Sequence, residues 1–355
     1  MDDGVLGQLA EDVRDAYGVG AVARVPADLD ALVMYRAHVA ASRPVVLARG
    51  LLSGWPASTR WRSLEAVAEA MGPERCSVGV TPDGRADALV ERPGGVGWYF
   101  ALPEVRSMTV GDFAQLLRAS REDGRLGVPY VSHQNDSLTQ QFGALAPDVG
   151  PEVEALGRRL FGRGPDAVNL WIGDARSVSS MHRDPYENLY AVVHGEKTFT
   201  LLPPTERPRL RHVRCQSATW RQREGDLGWE LTPDPATEDV SKRVPWVAVD
   251  PSHPDVEKFP EFVRHGGMDP LTVTVHAGEV LYLPALWYHQ VSQGGGQRQG
   301  DNTAEPDFTV AVNYWFDMDF DLRWAQHRFL EALCEGAERG AEAEAQVDDL
   351  RSAVP

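Results

Sequence analysis

The spacing of apolar positions divides the chain into three stretches. In the first, Val5, Leu6, Leu9, Val13 and Tyr17 recur at helical period and predict a helix over residues 5–17. A second helix over 27–41 opens at Pro26 and closes before Arg43-Pro44. PVVLARG (44–50) reads as a short apolar strand ending in glycine. Residues 60–71 are helical up to Gly72-Pro73, 76–80 form a strand, TPDG (81–84) is a turn, and 111–120 return to helical period. This part, residues 1–126, therefore mixes helices with strands.

From about residue 128 the texture changes. VPYVS, AVNLWIG, SVSSMH, ENLYAVV, KTFTLLP, LTVTVHAG, EVLYLP, YHQVSQ and FTVAVNYWF are short, β-branched or aromatic, and separated by turns. Such a run predicts a mainly β sandwich or barrel over 127–318. Two segments interrupt it. Residues 205–262 are rich in Pro, Arg and Glu and read as a structured insertion, and 294–307 (GGGQRQGDNTAEPD) as a Gly-rich polar loop. From Asp319 the helical period returns, with Leu322, Ala325, Phe329, Leu330 and Leu333 on one face. That face either covers the barrel or joins two copies of the chain. The tail after Gly340 is acidic and expected to fray.

Bulk composition excludes several classes. No apolar run approaches the roughly 18 residues of a membrane span, and the acidic, amphipathic start does not resemble a signal peptide. Three widely spaced cysteines (Cys76, Cys215, Cys334) fit a reducing cytoplasm better than a disulfide framework. A net charge of −17 argues against general nucleic-acid binding and would suit a basic partner. Only three lysines (Lys197, Lys242, Lys258) stand against 32 arginines. A GC-rich genome explains the bias, and each surviving lysine is then a candidate for a task arginine could not do. Arginine concentrates over 206–224, where an anionic partner or, more simply, a solvated face paired with acids would account for it.

The sharpest chemical feature is HRD at 182–184. In a strand, residues two apart share a face, so His182 and Asp184 can reach one metal. A second histidine would complete a two-histidine, one-carboxylate triad with open positions, as non-haem Fe(II) oxygenases use. The same triplet also arises by chance. His289, at the start of a late strand, can face HRD across a barrel mouth or be an ordinary histidine. His194, at a strand end, and His276, in an apparent turn, are less apt. ENLYAVVHGEKTFTLLP reads as a hairpin that brings Lys197 back beside the metal strand. Lys197 is then either a solvated residue after a turn or a buried cation requiring an anion.

The run NLWIGDARSVSSMHRDPYENLYAVVHGEKTFTLLPP resembles the core of the jumonji-C (JmjC, cupin-like) 2-oxoglutarate oxygenases. More narrowly it is similar to the jumonji domain-containing protein seven group of lysyl hydroxylases. VTPDGRADA (80–88), PDAVNLWIG (165–173), VPWVAVDPSHPD (244–255), AGEVLYLPALWYHQV (277–291) and VAVNYWFDMDFDL (310–322) carry the likeness over residues 27–333. The resemblance implies a double-stranded β-helix (jelly roll) flanked by N-terminal α/β elements and a C-terminal helical segment. It implies Fe(II), 2-oxoglutarate and O₂, with His182, Asp184 and His289 as metal ligands and Lys197 pairing the distal carboxylate of 2-oxoglutarate. Tyr130 would bond the same carboxylate. Ser179, where the family more often has threonine, would keep a hydroxyl there, and Asn188 and Asn313 would line the pocket. Trp315 would pack near the site or simply in the core. The 24 residues from His289 to Asn313 exceed the family's usual spacing.

A protein or peptide lysyl side chain is the implied substrate. Small-molecule or nucleoside hydroxylation and N-methyl demethylation remain alternatives on the same fold, as does a degenerate cupin serving only as a binding module. No Ser/His, Cys/His or HExxH arrangement supports proteolysis. The expected location is the cytoplasm, with a homodimer through the C-terminal helices as one possibility.

Overall fold

The computed structural model describes residues 3–17, 20–94, 97–264, 267, 269–294 and 308–352. All but the first residue of the Gly-rich 294–307 stretch lies outside them. Eight strands of the described chain form a jelly roll. Val280–Leu283, Tyr186–His194, Thr309–Asp317 and Ala167–Gly173 pair in that order, antiparallel, in one sheet. Leu271–His276, Glu196–Leu202, Tyr288–Gln293 and Val178–His182 do so in the other. Alternation sorts their side chains. Tyr190, Val192, Ala311 and Leu281 of the first sheet meet Phe199, Leu201, Val275 and Val291 of the second. The opposite face of the first sheet (Leu189, Ala191, Val312, Tyr314, Phe316) is covered by N-terminal residues that include Trp55, Phe113 and Leu156. A strand buried on both faces reads as a continuous apolar run, which is why these strands stood out in the sequence.

ENLYAVVHGEKTFTLLP is not a hairpin. Its two strands belong to different sheets, and the chain crosses between them at Gly195. There φ is +73°, and a Cβ would stand 2.6 Å from Thr309 Oγ1. The Lys197 strand consequently lies beside the His289 strand, not beside the His182 strand.

The flanking part departs from expectation mainly at its boundaries. The helix expected over 27–41 spans 31–39, because the Asp30 carboxylate accepts from the backbone N–H of Leu32 and Val33 and fixes the start there. Its second half, Tyr35–Val39, is wound as a π-helix. Ser63 likewise caps Leu64–Met71, so 60–63 fall outside that helix. Three strands went unread between 88 and 109: Ala88–Glu91, Trp98–Leu102 and Glu104–Thr109. Trp98–Leu102 pairs in parallel with His212–Gln222, which draws the 205–262 insertion onto the N-terminal part as a further sheet.

Four of the arginines of 206–224 (Arg207, Arg209, Arg214 and Arg223) are paired with acids, and two of these are buried rather than solvated. Arg209 pairs with Glu206, and Arg207 with Glu331 and Glu338 of the C-terminal helix, Leu322–Ser352. That helix runs through the segment expected to fray. Its buried face is not the apolar one: His327, Glu331 and Cys334 turn inward, while Leu322, Ala325, Phe329 and Leu333 are exposed. The reading in which the apolar face covers the barrel is overturned.

Candidate metal centre and cosubstrate pocket

His182, Asp184 and His289 converge on one point. Asp184 Oδ2 lies 3.8 Å from His182 Nε2 and 3.7 Å from His289 Nε2, and one donor atom from each falls within 4.8 Å of the others. The route differs from the same-face argument. The strand ends at His182, and Asp184 sits in the connection to Tyr186–His194. His289 is not across a barrel mouth but next door, paired with His182 on the neighbouring strand. A bulge between Ser179 and His182 makes this pairing possible: Ser179 opposes Val291 and His182 opposes His289, so the shorter side spans two residues and the longer three. The extra residue turns both Ser179 and His182 toward the cavity. Asp184 is tied to the turn before His289 through its carbonyl, which accepts from Leu286 N–H at 2.8 Å. Glu187 holds the same turn, accepting from Tyr282 Oη and Ala285 N–H.

The donor chemistry fits a metal. Each imidazole places Nδ1 on the carbonyl two residues upstream, Ser180 for His182 (2.7 Å) and Trp287 for His289 (2.9 Å). Donation through Nδ1–H leaves the Nε2 lone pair aimed at the convergence point. Burial, helped by neighbouring His182, pushes the His289 pKa down to about 4, so this ring is neutral and ready to ligate at pH 7.

Lys197 has no solvent exposure. Its Nζ donates to Tyr130 Oη at 2.9 Å, the one hydrogen bond it makes among the described residues. The rings of Tyr130, Trp171 and Tyr190 surround it at 5.2 to 5.8 Å. Burial alone pulls its pKa down to about 7. Tyr130 is in turn hydrogen-bonded to Ser179. Gln293, opposite Lys197 in the ladder, is buried with both ends of its amide unpartnered among the described residues. An anion seated against Lys197 would satisfy this neighbourhood. Asn313 donates to Asn188 Oδ1 at 3.3 Å and accepts from Trp171 Nε1 at 2.9 Å.

The triad, Ser179, Asn188 and Asn313 share the lining of one cavity of about 380 Å³. Trp315 also reaches it and stacks on Tyr186 at 5.0 Å, so it belongs to the site as well as to the packing. Of the rejected histidines, His276 pairs with Glu196 and His194 stacks on Phe308, both away from the triad. The other two lysines have no such place: Lys258 pairs with Glu91 on the surface and Lys242 lies in an exposed turn of the insertion. Sequence reasoning did not select Asp87, Ser180, Phe100, Trp171 or Trp246, which all line the same cavity. All but Phe100 sat inside the family-like segments, but nothing in their spacing marked them.

A jelly roll with a two-histidine, one-carboxylate cluster in a cavity, and a buried lysine behind the Trp171 and Tyr190 rings that line it, defines a class, and comparison with known proteins agrees with it. The family model for the cupin-like domain matches residues 31–322. The human bifunctional peptidase and (3S)-lysyl hydroxylase JMJD7 is 36% identical over 306 residues, 86% of this chain and 87% of that protein. The Arabidopsis thaliana lysine-specific demethylase JMJ32 is 36% identical over 305 residues, 84% and 82% of the two chains. JmjC domain-containing protein E of Dictyostelium discoideum is 31% identical over 343 residues, 93% of each. The chain belongs to the cupin-like JmjC family and is a 2-oxoglutarate-dependent oxygenase.

Proposed function

We propose that the protein uses Fe(II), 2-oxoglutarate and O₂ to hydroxylate a lysyl side chain in a protein or peptide. The observation that carries this is Lys197: a fully buried ammonium with one phenol for a partner, beside the cavity that holds the triad. An unpaired buried cation is costly, and the distal carboxylate of 2-oxoglutarate removes that cost through a charge-assisted hydrogen bond. His182, Asp184 and His289 hold the metal, whose chemistry when bound is activation of O₂ coupled to oxidative decarboxylation of the 2-oxo acid. The chain's own residues do the rest. The two carbonyl-anchored imidazoles keep the ligand atoms in place, and Tyr130, oriented by Ser179, shares the carboxylate with Lys197. Asn188 and Asn313 fix the polar wall, and the aromatic lining excludes water.

The two relatives at 36% identity carry names with different reactions that share lysine as the target, which supports a lysyl substrate here. The Arabidopsis name keeps demethylation as the second reading. Mass spectrometry separates them, one product gaining an oxygen and the other losing a methyl group as formaldehyde. Cysteine proteolysis lacks support, since burial holds all three thiols up at about 11 and withholds a thiolate. Free buried cysteines and the lack of any described helix long and apolar enough to cross a membrane suit a cytoplasmic enzyme. The exposed Leu322, Phe329 and Leu333 suit a homodimer through the C-terminal helices.

Asp184→Ala tests the assignment. Loss of outer partners of a metal ligand costs about 10- to 100-fold, so loss of the ligand itself should lower Fe-dependent succinate formation by more than about 100-fold. It should also remove the charge-transfer band of the anaerobic Fe(II)·2-oxoglutarate complex. Unchanged turnover would reject the triad.

A further inference from the structure

Asp87 carries a carboxylate that the chemistry above does not use. Asp87 lines the cavity that holds His182, Asp184 and His289, yet its carboxylate makes no hydrogen bond or ion pair with any described residue. Arg85, two residues earlier, is turned to Asp250 at 3.4 Å. Burial raises the Asp87 pKa, and the charge of a protonated His182 would act the other way. The side chain is held there by its backbone. Asp87 adopts φ +51°, and its carbonyl accepts from Ser180 Oγ. Ser180 also accepts from Trp246 Nε1 at 3.2 Å, which sets the indole parallel to His182, 6.0 Å between ring centres and 6° between planes. Phe100 packs 4.6 Å from Trp246. One hydroxyl thus ties the backbone of Asp87 and an aromatic wall together, next to the first metal ligand. An aspartate is tolerated at positive φ, but asparagine would serve the turn as well and would avoid leaving an unpaired charge on the half-buried cavity wall. The charge itself therefore calls for a reason, and a cationic group entering between the aromatic walls supplies one.

We propose that Asp87 is the specificity-determining residue for a cationic side chain: its carboxylate receives the substrate's terminal ammonium while Phe100 and Trp246 flank the methylene stem. This rests on the lysyl reading of the site. It adds the group that separates lysine from an uncharged chain of equal length.

Two peptide libraries with the same random flanks test it, one with a central lysine and one with norleucine. The readouts are the ratio of hydroxylated products in competition and the ratio of peptides retained by immobilised protein loaded with Zn(II) and a non-oxidisable 2-oxo acid analogue. The wild type should favour lysine by about tenfold to a hundredfold, the worth of a hydrogen bond to a charged group. Asp87→Asn and Asp87→Gly both accept the positive φ, and both ratios should fall to near one. The charge-transfer band of the Fe(II)·2-oxoglutarate complex reports that each variant has kept its metal centre. If the variants keep the wild-type preference, Asp87 does not select the cation and the lysyl reading stands. If the wild type shows that band but neither converts nor retains the lysine library above norleucine, the lysyl reading falls and the selection role falls with it.

Discussion

Lys197 shows how a single side chain can be legible from composition and still need the fold to explain it. Burial without an anion drops its pKa to about 7, so near pH 8 the ligand-free protein holds Lys197 mostly neutral. A carboxylate seated against it restores the charge. Binding of 2-oxoglutarate at pH 8 should therefore take up a proton, and the calorimetric enthalpy should vary with the ionisation heat of the buffer. A buffer-independent enthalpy would show that Lys197 does not meet the carboxylate. The folded-state pKa lies below the unfolded value near 10.5, so the folded form binds fewer protons between about 7 and 10. Stability of the ligand-free protein should rise with pH over that window, and thermal melts of Lys197→Met should lack this contribution. Lys197→Arg should raise the 2-oxoglutarate requirement well above wild type while Fe(II) binding stays nearly intact, because the planar guanidinium is wider than the ammonium the aromatic box encloses. Lys197 could be singled out because lysine is scarce in this chain. Asp87 could not, because it is one of 52 acidic residues and its place depends on a left-handed turn and on a tryptophan more than 150 positions away.

Among the elements, the strands were legible and their partners were not. Apolar runs mark strands buried on both faces, but a period of two is identical whichever sheet a strand joins. The apparent hairpin at Gly195 failed for that reason, and so did the placement of Lys197 beside His182. The bulge between Ser179 and His182 has no sequence signature either, although it turns a first ligand and a cosubstrate-pocket hydroxyl to the same side. The support behind the sheet is equally specific. Helix Glu152–Phe161 crosses the outer face of Thr309–Asp317 at Gly157, where an added Cβ would enter the space of the Phe316 ring. Gly157→Ala gains helix propensity worth no more than about 1 kcal/mol. It also overpacks a core contact, at about 1–3 kcal/mol. The second effect should win, lowering the urea midpoint with an unchanged slope. A midpoint at or above wild type would show that the helix can move off the sheet without loss.

For the whole molecule, the C-terminal helix meets the rest of the chain through a seam of charges as well as through Trp324, which packs against Ala285 and Leu286. Arg183, between the two ligands of HRD, reaches Glu331 at 2.8 Å. Arg207, with its side chain 2% exposed, meets Glu331 at 3.4 Å and Glu338 at 2.9 Å. A helical-wheel reading assigns the apolar stripe to the interior, so this seam was invisible in the sequence: the insertion's arginines and the helix's acids acquire meaning only once they face each other. The arrangement makes the helix part of the folded unit instead of a removable appendage. Deleting residues 319–355 would strand Arg207 and Arg183, so size-exclusion of a truncated chain would confuse loss of a dimer with loss of the fold. A single substitution is cleaner. Orphaning a fully buried charge costs about 3–5 kcal/mol, but Arg207 keeps Glu338 and Arg183 is partly exposed. Glu331→Ala should therefore cost about 2 kcal/mol, and Glu331→Gln less, since it retains a hydrogen-bond acceptor. Because Arg183 connects the seam to the metal ligands, the Ala variant should also weaken Fe(II) binding, which the charge-transfer titration reads independently of the melt. If Glu331→Ala melts like wild type, the seam is an ion-pair network of little worth and the helix is held by the partly buried Trp324 and the buried His327 and Cys334.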